Sequence, residues 1–260
     1  MTPNQVPHTR PPVIYVCIPA HDEAATIGVV LWKTRKVLNE FRRDFRLVVH
    51  DDASTDDTAD VLARYARSLP LTILRSERRI GYGRSVETLL RHVQGEASYP
   101  KRDCAVVLQG DFSEDPQDIV SLVKAIEGGA DIVAGSTSGG RHPRPVVVSA
   151  VRWLSNKLVR RNASVFPVSD PLAGLRAYRV IVLKKALRDR PEPLIGSDGW
   201  AANVELLARL APHARRISEV PLEPRDDLRM RPSRFRPIRT LLNMAGVRGS
   251  LASAPDVEVA

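Results

Sequence analysis

The chain is expected to fold as an α/β domain, with a doubly wound, mostly parallel sheet and helices on both faces. Three observations lead there. Short β-branched apolar runs alternate with segments whose apolar residues recur at helical spacing. Each of the first four runs ends in a polar cluster, and a parallel sheet aligns such clusters along one edge. An apolar content of 43% in 260 residues is enough for a substantial core.

Val13 to Ile18 is a continuous apolar run and reads as a buried parallel strand. Ala24 to Phe41 follows as a helix, with Ile27, Val30, Leu31, Val37 and Leu38 on one face. Arg46 to His50 is the second strand. Ser54-Thr55-Asp56-Asp57 resembles a capping box and opens a helix bearing Val61, Leu62, Tyr65 and Leu69. Leu71 to Leu74 is the third strand, and Val86 to Val93 lies in the third helix. Ala105 to Leu108, Ile119 to Ile126 and Asp131 to Ala134 continue the alternation. Gly139-Gly140 and the basic segment Arg141 to Pro145 interrupt it. Beyond them the pattern predicts a helix over Val148 to Arg160 and a strand over Leu175 to Tyr178. Helices around Val180 to Leu187 and Ala201 to Leu210 and a strand over Arg216 to Leu222 complete it. The expected organisation is a tail over 1–12, one domain over 13–240 and a tail over 241–260. Within the domain, 13–136 and 137–240 form two halves.

Composition narrows the function. The two cysteines, Cys17 and Cys104, sit inside apolar runs and suit a reducing compartment, hence the cytoplasm. Met1 to Pro12 lacks the order of a signal peptide, and no stretch approaches the roughly 18 apolar residues of a membrane span. The formal charge of +9 favours anionic partners. The acidic segments Asp51 to Asp60 and Asp111 to Asp118 interrupt the basic surface, which argues against nucleic acid and for a site that holds both a cation and anions.

The four strand-end clusters are Pro19-Ala20-His21-Asp22-Glu23, Asp51-Asp52-Ala53-Ser54, Arg78-Arg79-Ile80-Gly81-Tyr82-Gly83 and Leu108-Gln109-Gly110-Asp111-Phe112-Ser113-Glu114-Asp115-Pro116. The phosphate-loop and dinucleotide glycine patterns are absent, as are zinc-ligand spacings and a nucleophile elbow. Carboxylate chemistry remains, and hard oxygen ligands suit Mg2+ or Mn2+ on a diphosphate.

On these words the chain resembles the family 2 glycosyltransferases, inverting enzymes of the Rossmann-like GT-A fold. Asp170-Pro171-Leu172-Ala173-Gly174-Leu175-Arg176-Ala177-Tyr178 is similar to the signature of the branch that includes dolichol- and polyprenyl-phosphate mannosyltransferases, and the likeness spans about Val13 to Phe235. The resemblance implies that 13–136 is the nucleotide-sugar half and 137–240 the acceptor half. It further implies that Pro19, His21 and Glu23 line the base and ribose pocket, with Asp51 or Asp52 reading the base edge and Gly81 nearby. It places Gln109-Gly110-Asp111 at the family's Asp-x-Asp motif, with Asp111 holding Mg2+ or Mn2+ and Gln109 and Ser113 as weaker ligands. On the acceptor side Gly135-Ser136-Thr137 stands where the branch has Gly-Ser-Arg, leaving Arg141, Arg144 or Arg152 to compensate. Arg229 and Arg234 fall in a basic segment suited to closing over phosphates.

The implied reaction moves a sugar from GDP-mannose or a UDP-sugar to a polyprenyl phosphate, with Arg176 and Arg229 on the acceptor. Alternatives are transfer to a soluble hydroxyl and non-catalytic binding of a nucleotide or polyanion. A hydroxyl acceptor needs a base, and Asp198 is the candidate; it also reads as a helix N-cap. Asp170 is expected with Arg176 at the substrate site, and the alternative reading of the two is an internal ion pair bracing a turn. The run Arg234 to Met244 mixes basic and apolar residues, as a peripheral contact with the cytoplasmic face of a membrane would, or as an ordinary basic helix covering the sheet.

Overall fold

The computed structural model describes residues 11–136, 168–188 and 193–222, with the single positions 150, 153, 157, 240, 242 and 243. Seven strands form one sheet: β1 (Val13–Ala20), β2 (Asp44–Asp51), β3 (Leu71–Arg75), β4 (Cys104–Val107), β5 (Ile132–Ser136), β6 (Arg176–Arg179) and β7 (Ile217–Pro221). Their spatial order is β3-β2-β1-β4-β6-β5-β7. β1 pairs in parallel with β2 from Val13↔Asp44 to Ala20↔Asp51, and with β4 on its other side. β6 runs antiparallel to both β4 and β5, and β7 is parallel to β5. The strand from the second half is thus wedged between two from the first, so the halves share one sheet.

The alternation of side chains along β1 explains the two layers. Val13, Tyr15 and Cys17 pack with α3 (Tyr82–Glu96), α5 (Val180–Leu187) and α6 (Trp200–Leu210). Ile14, Val16 and Ile18 face α1 (Ile27–Phe41), α2 (Thr58–Ala66) and α4 (Asp118–Glu127). A central strand covered on both faces must be apolar at every position, and β1 is buried throughout.

Two helix starts differ from the sequence pattern because loop polar groups take the first turns. α1 begins at Ile27 rather than Ala24, since the Glu23 carbonyl accepts the N–H groups of Thr26 and Ile27. α2 begins at Thr58 rather than near Ser54. Asp56 Oδ1 accepts the Thr58 N–H at 3.0 Å, while the Ser54 hydroxyl accepts the Asp22 N–H. Ala150, Trp153 and Lys157 are helical; the rest of the helix expected over Val148 to Arg160 lies outside the described residues. Arg141, Arg144, Arg152, Arg229, Arg234 and both expected tails, apart from Pro11, Pro12, Leu242 and Asn243, also lie outside them. Among the described residues no helix is long and apolar enough to cross a membrane.

Candidate active site

The strand order reverses between β1 and β4, and at the carboxyl ends of such a switch point a doubly wound sheet forms its ligand crevice. The loops around it are tied to one another. The Thr26 hydroxyl donates to the Gly110 carbonyl at 2.8 Å, joining the first loop to the fourth. The Glu23 N–H donates to Thr58 Oγ1 at 2.8 Å, and Thr55 N–H to Asp22 Oδ1 at 2.7 Å, joining the first to the second. Asp22, Ala53 and Phe112 all hold left-handed backbone, with φ of 50°, 52° and 61°. Such conformations cost on the order of 1–2 kcal/mol each and persist where surrounding bonds enforce them.

Asp111 is buried to 6% exposure at the end of the β4 loop. Its Oδ1 accepts the Ser113 hydroxyl at 2.6 Å and the Ser113 N–H at 3.1 Å. Ser113 therefore orients the carboxylate. Gln109 is turned toward α3: its Nε2 donates to the Tyr82 hydroxyl at 3.1 Å, which donates to Asn203 Oδ1 at 2.9 Å. Asn203 Nδ2 in turn donates to the Leu172 carbonyl. The amide at the family's first Asp position thus links the β4 loop to the 170–175 loop through a buried polar chain.

Glu114 was not singled out by sequence pattern, yet it lies at the centre. Its carboxylate accepts the Gln109 N–H at 2.9 Å and also the Leu175 N–H. Burial pushes its pKa up to about 8, the two N–H donors hold it down, and the Asp111 charge adds to the rise. Gly174 makes room for this arrangement, because a Cβ there would stand 2.9 Å from Glu114 Oε1 and 2.8 Å from Gln109 Nε2.

On the nucleotide side, both acids assigned to the base edge turn out to brace loops. Asp52 is 3% exposed, and its two oxygens accept the N–H groups of Ile80 (2.6 Å) and Gly81 (2.9 Å). Asp51 is 1% exposed, accepts the Ser54 N–H at 2.9 Å and lies 3.4 Å from Arg75 Nε. Base reading by either is corrected to loop bracing. Pro19 and Glu23 are buried, while His21 remains partly exposed, its Nδ1 2.8 Å from the Asp52 carbonyl. Gly81, with φ of 90°, supplies a turn no side chain would favour and caps α3. The Thr55 N–H draws the Asp22 pKa down, whereas burial lowers that of His50 and raises that of Tyr82.

On the acceptor side, Arg176 is fully buried in β6 and donates to the carbonyls of Asn203 and Pro171. A guanidinium enclosed at the floor of the fold cannot grip an acceptor phosphate, so that assignment is corrected to a brace. Asp170 is buried in the loop that leads into β6. Asp198 is partly exposed, and its Oδ1 lies 3.4 Å from the Gly83 N–H at the start of α3. It does not cap α6, whose N-cap is Gly199 with no side-chain cap bond. The segment carrying Asp198 is clamped by two acids that sequence pattern missed. Glu87 accepts the N–H groups of Leu194 and Ile195; Glu205 accepts those of Gly196 and Ser197 and the Ser197 hydroxyl. The available signal was an acid on the apolar face of each helix, Glu87 beside Val86 and Glu205 beside Val204, where burial demands donors.

Among the described residues no group of three or more His, Cys, Asp or Glu side chains gathers around one cation position. One oriented carboxylate, Asp111, with hard oxygens on Gln109 and Ser113 nearby, suits Mg2+ or Mn2+ held largely by substrate phosphates rather than by a protein cage.

A family model described as Glycosyl transferase family 2 matches residues 15–187. The chain is 28% identical over 182 residues to the undecaprenyl-phosphate 4-deoxy-4-formamido-L-arabinose transferase of Pseudomonas syringae pv. syringae, covering 68% of this chain and 50% of that protein. The Shewanella sediminis enzyme of the same name is 28% identical over 180 residues, covering 67% and 50%. The chain therefore spans about half the length of the curated relatives it matches. Among solved structures, glucosyl-3-phosphoglycerate synthase from Mycobacterium tuberculosis, in complex with Mn2+, UDP and glucosyl-3-phosphoglycerate, superimposes with a TM-score of 0.64 at 23% identity, over 95% of this chain and 82% of that one. S. aureus TarS gives 0.56 at 18% identity, over 94% and 67%.

Proposed function

The chain belongs to glycosyl transferase family 2, and from that premise we propose that it transfers a sugar from a nucleotide-sugar to a polyprenyl phosphate. The observation that carries the reading is Asp111, a buried carboxylate oriented by Ser113 at the carboxyl ends of β1 and β4, where the strand order reverses. Asp111, with Gln109 and Ser113 beside it, would hold Mg2+ or Mn2+, which would supply charge to neutralise a departing nucleoside diphosphate. Relatives named as undecaprenyl-phosphate sugar transferases support a lipid-phosphate acceptor. Such an acceptor is already ionised, so its attack on the sugar needs no base; the chain's task is to align it and exclude water. GDP-mannose and UDP-sugars are the donor classes to test, and His21, partly exposed in the first loop, is available to the nucleoside. Asp170 and the 170–175 loop border the acceptor side. The segment Arg234 to Met244 gives the protein a peripheral hold on the membrane.

Asp198 favours a second reading, transfer to a soluble hydroxyl. It is partly exposed, and the Glu87 and Glu205 clamps hold its segment in place, as a general base requires. Incubation with labelled nucleotide-sugars, Mn2+ and polyprenyl phosphate separates the two. Label extracted into organic solvent is expected for the first reading, and label retained on a soluble acceptor would replace it with the second. If neither transfer nor donor hydrolysis occurs with any common donor, both readings fall.

A further inference from the structure

Four arginines lie within ten residues at one rim of the crevice. Arg75 closes β3, Arg78 and Arg79 stand in the β3–α3 loop, and Arg84 is in the first turn of α3. All four are exposed; Glu77 is the one acid within this stretch, and Arg75 Nε also lies 3.4 Å from the buried Asp51 carboxylate. Between them, Ile80 presents an exposed apolar side chain at the loop, and Ile73 does the same on β3.

The loop is built to hold this display still. Asp52 grips the N–H groups of Ile80 and Gly81, and the Gly81 carbonyl accepts from both the N–H and the hydroxyl of Ser85. The inner side is meanwhile closed to anions. The amino end of α3 would ordinarily attract a phosphate, but the Asp198 and Asp52 carboxylates already stand at Gly83 and Gly81. The positive charge is left facing outward.

We propose that this rim is a docking surface for an anionic lipid bilayer, with Arg75, Arg78, Arg79 and Arg84 on headgroup phosphates and Ile80 set into the interface. Charge complementarity selects the partner: clustered arginines around an apolar tip match a surface that is anionic outside and apolar beneath. The placement serves the proposed lipid-phosphate acceptor and rests on that reading for its purpose, since it turns the mouth of the crevice toward the membrane. Binding to the bilayer requires neither donor nor acceptor.

The test is co-sedimentation of the full chain with vesicles of equal parts phosphatidylglycerol and phosphatidylcholine, against phosphatidylcholine alone. The wild type is expected to bind the anionic vesicles and to be released by salt. Replacing Arg78→Gln and Arg79→Gln together should weaken binding on the order of 25-fold, about fivefold for each arginine. Ile80→Ser should weaken it further at unchanged melting temperature. Absence of wild-type binding, or a double variant that binds normally, overturns the proposal. So does release of the protein from vesicles by UDP or GDP with Mn2+, coupled with lost nucleotide binding in the double variant, because the arginines would then belong to the donor site. Vesicle binding without any sugar transfer sinks the transferase reading alone. Sugar transfer to detergent-dispersed polyprenyl phosphate without vesicle binding sinks the docking surface alone.

Discussion

The Gln109 backbone N–H donates to the Glu114 carboxylate at 2.9 Å, and the same carboxylate receives the Leu175 N–H. The β4–β6 ladder ends at Val107↔Arg176, so both N–H groups lie just past its last pair. One side chain thereby completes the ladder where the cation-side loop meets the acceptor-side loop.

Filling the space beside this carboxylate should disturb both loops. Gly174→Ala places a methyl 2.9 Å from Glu114 Oε1 and 2.8 Å from Gln109 Nε2. Overpacking of this kind costs about 1–3 kcal/mol. A melting temperature several degrees lower, with weaker Mn2+ binding by titration, is the expected result; a variant equal to wild type in both would remove Glu114 from its central role.

Asp111→Ala should reduce sugar transfer by roughly 10²–10³-fold, the scale of losing one preorganised charge-stabilising group. Ser113→Ala keeps the carboxylate but frees its orientation, and should cost about 10-fold in Mn2+ affinity. Calorimetric titration with Mn2+ and nucleoside diphosphate reads both. Near-normal affinity in Asp111→Ala would place the cation elsewhere.

Arg176→Met should act on stability rather than on acceptor use. It leaves the Asn203 and Pro171 carbonyls without their donor, at about 1–3 kcal/mol for each buried group. Thermal unfolding should show a large loss, with the donor and acceptor KM of the surviving folded protein changing together. A selective rise in acceptor KM at unchanged melting temperature would restore the arginine to the acceptor site.

His50 gives a pH signature. It is 2% exposed, its Nε2 lies 3.0 Å from the Ser76 hydroxyl, and burial lowers its pKa below the ordinary 6.5 despite the opposing charges of Asp52 and Asp51. Between 6.5 and the lowered value the unfolded chain binds the extra proton, so stability is complete above pH 6.5 and declines as pH falls through that window. His50→Gln should flatten this part of the stability curve, measured by denaturant unfolding from pH 7.5 to pH 5 on the scale of the ordinary value. An unchanged slope would locate the acid sensitivity in other groups.

Local pattern alone determined the alternating elements. Apolar runs buried on both faces and helices with one apolar stripe are written in nearest-neighbour spacing, and β1 to β5 with α1 to α4 follow it, apart from shifts of a few residues at their ends. The strand-end rule likewise brought the polar clusters to one edge, because a parallel sheet leaves them no other place. Tertiary structure decided which of those polar residues face outward. Strand direction is a matter of pairing, so the antiparallel entry of β6 between β4 and β5 is not legible in Leu175 to Tyr178. That entry buries Arg176, converting an apparent phosphate ligand into a brace. Carboxylates present the same ambiguity: Asp52, Glu87, Glu114 and Glu205 hold loop N–H groups, while Asp111 is oriented by Ser113 in the crevice. In sequence these acids are chemically alike. Only the donors that the fold brings within hydrogen-bond reach distinguish a group that builds the site from one that can act in it.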